Sequence, residues 1–452
     1  MLRRHLKFGG LSSLGLLVLG GCATYTPRPL DMNATSKPAV AELRYEGELP
    51  AQLTLAEIDQ LLLDNNRELI AARTQHGVAG AQVRQAGILP NPVLNASYAD
   101  VLSGPGAFAA LAAGLSQDLK AIITLSSKRN AAKASAQAVD ATVLWQEWQL
   151  LGKARLSAVD IAKGEKQLAL LDQNAALWRD RVAKNGEALA RGDVTLVTIA
   201  PDVAASADAQ KQFDDFERAL ATKRRDLNLM LGLSPDVQLR FSEDLRIPSL
   251  DIATVREQLK DLPNRRPDLI ALQLGYHAQE EKLRGAILAQ FPLFSLGVAY
   301  GRDTSNVRTL GPQVTMDLPI FDRNQGATSL EAATREQLHS EFSARLQAAR
   351  SEVEGLLTDY ALLQRQLASK KELLDRLDRA AASAQSAFET GDIDERTYVD
   401  IIATRNSKRQ EVLALQLTLL EQDIAITALT GAGMPHAEFK SDTLTTSSGP
   451  ST

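Results

Sequence analysis

Four short segments alternate between apolar and small or polar residues, the pattern of a strand with one apolar face. In the clearest of them Phe294, Leu296 and Val298 lie on one face, and Ser295 and Gly297 lie on the other. The alternation predicts strands over residues about 92–101, 112–120, 292–301 and 312–320. An apolar outer face is typical of a transmembrane barrel and an apolar inner face of an ordinary half-buried hairpin, so the strands alone leave both open. Four strands are too few to close a barrel with a lumen, so a barrel would need several chains.

Two proline-free segments are long enough to form very long helices. Residues 127–191 and 325–390 contain no proline, and apolar residues in the second recur at spacings of three, four or their sums. At 1.5 Å per residue each helix would be about 95–100 Å long, far beyond the usual helix of a globular protein. Gly192 and Gly391 follow these segments, and glycine is the usual residue where a helix ends in a left-handed turn.

Shorter helices complete each half of the chain. Helical patterns return over 194–231 and 393–429, about 55 Å each, and helices of about 33 Å are predicted over 67–88 and 267–289. If each of the shorter helices stacks end to end on the return helix of its half, the combined length approaches that of the long partner. The lengths therefore predict a bundle with one continuous and one two-piece helix per half.

The chain repeats itself at an offset of about 200 residues. The stretch ELIAARTQHGVAGAQVRQAGILPNP at 68–92 aligns with DLIALQLGYHAQEEKLRGAILAQFP at 268–292. Further on, RGDV at 191–194 aligns with TGDI at 390–393. Chance similarity between alanine-rich helices would not keep this order, so the pattern indicates a duplicated unit of helix, two-strand hairpin, very long helix, turn and return helix.

The N-terminus has the pattern of an export signal with a lipid-attachment site. Three basic residues within positions 3–7 precede an apolar run that is too short to span a bilayer as a helix. The sequence Leu19-Gly20-Gly21-Cys22 resembles the lipobox of bacterial lipoproteins, in which the cysteine carries diacylglycerol and a fatty acyl chain. Cys22 is the only cysteine, and Ala23 stands where an acidic residue would favour retention in the inner membrane, so an outer-membrane address is predicted. An ordinary secretory signal with an incidental cysteine is the alternative.

These patterns predict a mainly α protein with a small β part. The predicted order is a signal peptide at 1–21, a lipidated extended segment at 22–50, a first repeat at 51–231 with its hairpin tip at about 191–193, a connecting segment at 232–262, a second repeat at 263–430 with its tip at about 390–394, and a disordered tail at 431–452.

Composition excludes several classes of function. Removing residues 1–21 takes away three basic residues and no acidic one, which moves the formal net charge from −5 to −8 and argues against nucleic-acid binding. No run of 18 or more apolar residues follows the signal, so no transmembrane helix is expected. The five histidines are dispersed, and neither a metal-ligand pattern nor a catalytic motif is present. We therefore expect no enzyme, no metal and no cofactor beyond the lipid on Cys22.

The chain resembles the TolC-like outer-membrane efflux proteins, over nearly all of residues 50–431. The most specific stretch is LPNRRPDLIALQLGYHAQEEKLRGAILAQFPLFSLGVAYGRD at 262–303, which is similar to the lipoprotein branch that serves resistance-nodulation-division pumps. The resemblance implies a homotrimer in which twelve strands form one barrel in the outer membrane and twelve helices form a tunnel through the periplasm. It also implies docking to a periplasmic adaptor and through it to an inner-membrane pump. No phosphate-binding loop is present, so the protein is expected to be a passive, gated exit duct.

The resemblance implies a gate at the second-half turn, where acidic residues would meet around the threefold axis. Asp392, Asp394 and Asp400 are the candidates for this acidic ring, which would favour cations. The family often has an aspartate in a pattern like YxxLLDAQ, and Ala403 stands where that aspartate would be. Simple helix capping by Asp392 and Asp394 is the alternative.

Two further sets of residues are candidates for functional roles. The hairpin tips, where a family adaptor would make contact, contain Arg191, Gly192, Asp193, Thr390 and Gly391. Asp118 and Asp317 lie on the polar strand face and would line the barrel lumen. Ordinary turn geometry at the tips and hydrogen bonding at the strand-to-helix junction are the competing interpretations.

The main alternative function is a lipid-anchored periplasmic coiled-coil scaffold without a pore, which would leave the paired amphipathic strands without a use. An efflux adaptor is disfavoured because that class typically has one helical hairpin in a β-rich protein, whereas this chain has two hairpins and few strands. The exported substrate does not follow from the sequence.

Overall fold

The computed structural model describes residues 25–33, 35–242, 245, 251–291 and 294–435. It divides into two compact units, residues 1–36 and 37–452. The described part of the first unit contains a turn at 32–33 and neither helix nor strand. Cys22 with the predicted signal peptide, and the residues from 436 onward, lie outside the described residues.

The second unit is a long-helix bundle with one small sheet. A short 3₁₀ turn at Val40–Glu42 precedes the main elements. The helices are α1 Leu55–Asn65, α2 Arg67–Ala86, α3 Leu119–Arg191, α4 Leu196–Leu231, α5 Ile252–Lys260, α6 Leu262–Arg265, α7 Pro267–Leu288, α8 Gln325–Thr390 and α9 Glu395–Thr430. The strands are β1 Val93–Ala99, β2 Ala110–Asp118, β3 Phe294–Arg302 and β4 Arg308–Met316.

The long helices are confirmed, with one boundary corrected. Helix α8 begins at Gln325 as predicted, but α3 begins at Leu119 rather than near residue 127. The side chain of Asp118 caps α3 by accepting a hydrogen bond from the Lys120 N–H at 2.8 Å, so the helix starts directly at the end of β2. At 73 and 66 residues the two helices are about 110 and 99 Å long.

Short helices precede α2 and α7, and the sequence analysis did not predict them. Helix α1 begins with a capping box, in which Thr54 and Glu57 satisfy each other's backbone N–H groups. In the second half, α5 occupies the end of the segment that was predicted only as a connection at 232–262, and α6 begins at the last residue of that segment. The duplication therefore includes a short helical element before each 20- to 22-residue helix.

The predicted end-to-end stacking of helices is confirmed in both halves. In the first half the Asn66 side chain, which caps α2, donates to the carbonyl of Met230 near the end of α4 at 2.7 Å. In the second half Arg265, just before α7, donates to the carbonyl of Thr430 at the end of α9 at 3.3 Å. The end of α4 thus meets the start of α2, and the end of α9 meets the start of α7.

The four strands form one antiparallel sheet in the order β1-β2-β3-β4. The pairing of β2 with β3 joins the two halves, with Leu115 opposite Val298 and Ser116 opposite Gly297. A Cβ at Gly297 would lie 2.4 Å from the Leu115 carbonyl oxygen, so only glycine allows this approach of the strands. The fourth strand ends at Met316, four residues before the predicted end.

The buried core lies among the helices. One cluster includes Leu61, Trp148, Ala158 and Leu231 and holds α1, α3 and α4 together. A second cluster contains residues of α5, α6, α7, α8 and α9 and holds these helices of the second half together. The core therefore stabilises the bundle, and the sheet has little share in it.

One described helix, α9, is long and apolar enough by length and composition alone to cross a membrane. The expectation of no such segment was too simple, because Glu421 and Asp423 interrupt the apolar run without lowering its mean hydropathy far enough. Ile426 of this helix belongs to the second-half core, and Asp423 is buried.

Candidate functional site

The sheet exposes its apolar face. Along β3, Phe294, Leu296 and Val298 are exposed, whereas the intervening Ser295 and Gly297 are partly buried. Water would favour the opposite arrangement in a soluble hairpin, where the apolar side chains lie inside. The half-buried hairpin considered for these strands therefore does not fit the observed burial.

The strand register extends this division across the sheet. One row on the apolar face contains Leu94, Leu115 and Val298, and these side chains are 71%, 54% and 54% exposed. The adjacent row on the other face consists of small and polar residues: Asn95, Gly114, Ala299 and Gly311. An exposed apolar face of this extent marks a surface that meets another apolar phase.

The two proposed lumen aspartates have different surroundings. Asp118 lies opposite Ser295 in the row at the helix-proximal end of the sheet, and its side chain is used to cap α3. Asp317 is exposed and follows the end of β4. Asp118 thus combines the polar-face position with the hydrogen bonding at the strand-to-helix junction that was the competing interpretation.

At the far end of the bundle both hairpin tips use the same backbone turn. Gly192 and Gly391 have φ of +82° and +81°, a left-handed conformation that favours glycine, and each caps its long helix. Arg191 and Asp193 form an exposed ion pair at 2.9 Å in the first tip. The Thr390 hydroxyl, in the second tip, donates to the Asp392 carboxylate at 2.6 Å.

Asp392, Asp394 and Asp400 make three different kinds of contact within one chain. Asp392 accepts the hydrogen bond from Thr390 in the turn. Asp394 caps α9 by accepting from the Thr397 N–H at 2.7 Å, and this hydrogen bond lowers the pKa of Asp394. Asp400 lies six residues further along, in α9, and has an ion pair with Arg181 at 3.6 Å. Helix capping thus accounts for Asp394, and Asp400 instead contacts the other helical hairpin.

Arg181 of α3 is the centre of a buried polar cluster that the sequence analysis missed. Its side chain is 4% exposed, and its Nε donates to the Asp202 carboxylate of α4 at 2.9 Å. Asn185 donates to the same carboxylate at 2.7 Å. The guanidinium also lies over the Trp178 ring, 5.4 Å from its centroid. This cluster ties the two helices of the first hairpin together near their tip.

The same arginine reaches the second hairpin. Besides the ion pair with Asp400, its Nη1 donates to the carbonyl of Arg396 at 3.2 Å. Nearby, Lys184 of α3 pairs with Glu395 of α9 at 2.9 Å. The tips of the two hairpins are thus connected within one chain by a buried arginine and a more exposed lysine.

Only one sequence signal could have indicated this cluster. With the halves aligned at the tip offset of 199, the position equivalent to Arg181 is Ala380 and that equivalent to Asp202 is Ile401. A charged pair in one repeat against apolar residues in the other marks a place where the halves differ.

Residues 259–432 match the family model described as outer membrane efflux protein. This part of the chain, most of its second half, is therefore similar to the outer membrane efflux proteins. The family resemblance inferred from the sequence is confirmed over these residues.

Two curated relatives are similar to part of the chain at the sequence level. Outer membrane protein OprJ of Pseudomonas aeruginosa is 28% identical over 211 residues, which cover 43% of this chain and 43% of OprJ. The pyoverdine export outer membrane protein OpmQ of Pseudomonas putida is 25% identical over 254 residues, 54% of this chain and 53% of OpmQ. The chain thus matches about half the length of these relatives.

The fold as a whole is similar to that of solved outer-membrane channels. The Campylobacter jejuni CmeC outer membrane channel superposes with a TM-score of 0.69 over 93% of this chain and 97% of CmeC, at 14% identity. The predicted fold class, mainly helical with two strand hairpins in duplicated halves, is confirmed.

Proposed function

We propose that this chain is one of three identical subunits of a passive outer-membrane exit duct, through which an inner-membrane pump expels substrates by way of a periplasmic adaptor. The observation that carries the proposal is the sheet, which has an exposed apolar face, a small and polar opposite face and two open edges. Among the described strands β1 and β4 each have only one neighbour. Three copies would supply twelve strands, enough to close a barrel around a lumen.

The helices support the same proposal. At about 100 Å the long helices have the reach of a tunnel through the periplasm, and α2 with α4 and α7 with α9 provide continuous partners for them. The tip residues Arg191, Gly192, Asp193, Thr390 and Gly391 lie at the end opposite the sheet, where a periplasmic adaptor would dock. Lipid on Cys22 would add a second attachment to the outer membrane.

The proposed gate residue is Asp400. Of the three acidic candidates it is the one whose partner, Arg181, lies on the other hairpin, so its contact would change if the hairpins moved apart. The acidic ring proposed from Asp392, Asp394 and Asp400 predicts cation preference, and Asp400→Asn should reduce that preference in single-channel recordings. Asp193→Asn, which removes an exposed charge at the first tip, is the matched control.

Chemical cross-linking between strand edges tests the shared barrel. Ser97→Cys on β1 and Thr309→Cys on β4 lie in the same row of the small and polar face but on opposite edges of the sheet. With a flexible thiol cross-linker, the double variant should form covalent trimers in outer membranes, and each single variant should give at most dimers. Intramolecular products alone would contradict the shared barrel and favour a lipid-anchored scaffold.

A further inference from the structure

A cavity of about 340 Å³ lies between α3, α8 and α9, close to the start of α7. Three cationic side chains, those of Arg266, Lys153 and Arg345, are among the residues that line it, together with the polar residues Gln149 and Glu352. The remaining wall is largely apolar and is formed by Trp145, Trp148, Leu156, Ile424, Ala428 and Leu429. A concave site with a largely apolar wall and a few charged groups is typical of a small-molecule pocket.

The buried arginine in this wall has unused hydrogen-bonding capacity. The side chain of Arg266 is 2% exposed, and its Nε and Nη2 donate to Asp268 at 2.9 and 2.8 Å. Its Nη1 is buried and has no hydrogen-bond partner among the described residues. A buried donor without an acceptor costs free energy, especially on a charged group, so such an atom points to an acceptor that is not part of the bundle.

The surrounding charges favour an anion as that acceptor. The Asp268 carboxylate already accepts hydrogen bonds from Arg266 and, at 2.9 Å, from Nε of Arg345. It is therefore already paired with two cations. Glu352 lies 3.8 Å from Nη1 of Arg266, beyond hydrogen-bond distance, and its side chain is 54% exposed. Lys153 adds a further positive charge. The site therefore keeps a net positive charge beside a desolvated guanidinium.

The apolar wall restricts the class of anion further. The guanidinium of Arg266 stacks on the Trp145 ring, 4.7 Å from its centroid, which fixes the charged group next to an aromatic surface. Gly152 allows α3 and α9 to approach closely in this wall, since a Cβ there would already touch the Ala428 side chain at 3.4 Å. A hydrated inorganic ion would leave this wall without contacts, whereas a carboxylate with an apolar or aromatic body would contact both the cationic groups and the apolar wall.

We propose that this cavity binds a small organic carboxylate, with the carboxylate on Arg266 and Lys153 and the apolar body against Trp145 and α9. The inference is independent of the exit duct, because it concerns a pocket inside one chain's bundle. A carboxylate side chain from a second copy of the chain has the same chemistry and is the other source of the ligand that the experiment distinguishes.

Tryptophan fluorescence of the purified full-length protein tests the proposal, with benzoate as the probe. Benzoate should give a saturable change, and benzamide, which has the same shape without the charge, should give none at equal ionic strength. Lys153→Gln should weaken the benzoate response about threefold to fivefold, as expected for loss of one exposed charge. Lys166→Gln on the same helix but outside the cavity is the matched control and should leave the response unchanged.

Glu352→Gln tests whether removing a nearby negative charge strengthens or weakens benzoate binding. If the cavity binds an external carboxylate, removing the competing negative charge should tighten benzoate binding about threefold to fivefold. If Glu352 is itself the intended partner of Arg266, the variant should lower stability and leave the benzoate response unimproved, which would overturn the proposal. Equal responses to benzoate and benzamide would also overturn it.

Ala425→Leu distinguishes the two sources of the carboxylate, because it fills the cavity without removing a charge. Loss of the benzoate response with an unchanged oligomer on gel filtration supports a small-molecule site. A response lost together with the oligomer would assign the cavity to a second copy and contradict the proposal.

Discussion

The two hairpin tips have the same backbone but are held together by different chemistry. Both turn at a left-handed glycine, with φ of +82° and +81°. The first tip is stabilised by the buried Arg181–Asp202 pair, whereas in the second tip Phe388 stacks on Tyr398 with ring centroids 4.9 Å apart and an interplanar angle of 10°.

The comparison shows what a duplication preserves and what it leaves free. Helix lengths and the turn are determined by features that both halves share, and these persist. The positions equivalent to Phe388 and Tyr398 in the first half are Leu189 and Ile199, so each half has replaced the other's stabilising pair. The two pairs also differ in what they connect. Arg181 of the Arg181–Asp202 pair contacts the second hairpin as well, whereas the Phe388–Tyr398 pair lies within the second hairpin.

The largest effect should come from Arg181→Met. It leaves the Asp202 carboxylate buried without its cation, which typically costs about 3–5 kcal/mol in free energy of unfolding. Hydrogen exchange should speed up at the end of α3 and the start of both α4 and α9. Arg191→Met is the control, since its exposed pair with Asp193 should contribute less than about 1 kcal/mol. Similar exchange in the two variants would show that the buried pair is not what holds the first tip.

Helix α9 should contribute a pH dependence to the stability that its first-half counterpart α4 does not contribute. Burial raises the pKa of Asp423 to about 6, only partly offset by the hydrogen bond that the Tyr360 hydroxyl donates. The equivalent position in α4 is Arg224, which is partly exposed and paired with Glu165.

The raised pKa of Asp423 determines whether stability rises or falls with pH. Between the unfolded value of 3.8 and about 6 the folded state keeps a proton that the unfolded state has lost, so this group's contribution to stability falls as pH rises through that window. Asp423→Asn, which resembles the protonated acid, should therefore stabilise the protein above pH 6 and be nearly neutral below pH 4. Thermal unfolding of both proteins across this range measures the difference, and a pH-independent difference would contradict the assignment.

The shared turn should respond equally in both halves. Gly192→Ala and Gly391→Ala each place a Cβ in a left-handed turn, which should cost about 1–2 kcal/mol. A Cβ would meet no heavy atom within 4 Å at either position, so the effect is conformational and not steric. Chemical denaturation should give matching losses. Clearly unequal losses would show that the two turns are not equivalent.

The smallest effect should come from the aromatic stack. Tyr398→Leu removes the ring contact with Phe388 and should cost about 0.5–1.5 kcal/mol beyond the lost buried area. Tyr398→Phe keeps the stack and loses only the hydrogen bond from the tyrosine hydroxyl to Gln385, so it should be milder. If the two variants are equally destabilised, the hydroxyl and not the ring stabilises the second tip.

Periodicity predicted the parts of the fold that depend on local sequence. Proline-free stretches, glycine turns and strand alternation are properties of consecutive residues, so the two long helices, both tips and all four strands followed from them, with boundary errors of up to about eight residues at α3. The end-to-end joints followed from helix lengths, because the two-piece partners had to match the continuous helices. The short helices α1 and α5 are too brief for such a signal.

The candidate site was less accessible to sequence reasoning. The roles of Asp394 and Asp118 as helix caps agree with local turn chemistry. Arg181 with Asp202 and Asp400, or Arg266 beside Trp145, depend on helices that meet across 20 to more than 200 residues of chain. One sequence without relatives aligned to it contains no direct record of such contacts.

Electron microscopy of the detergent-solubilised mature protein tests the central claim most directly, namely that the strands of several copies meet lipid at one end of a helical duct. The account predicts a threefold particle with a detergent belt around the strand end and a stalk of about 100 Å formed by the long helices. A rod without a belt, or a twofold coiled coil, would show that the apolar sheet face never contacts lipid and would contradict the proposed duct.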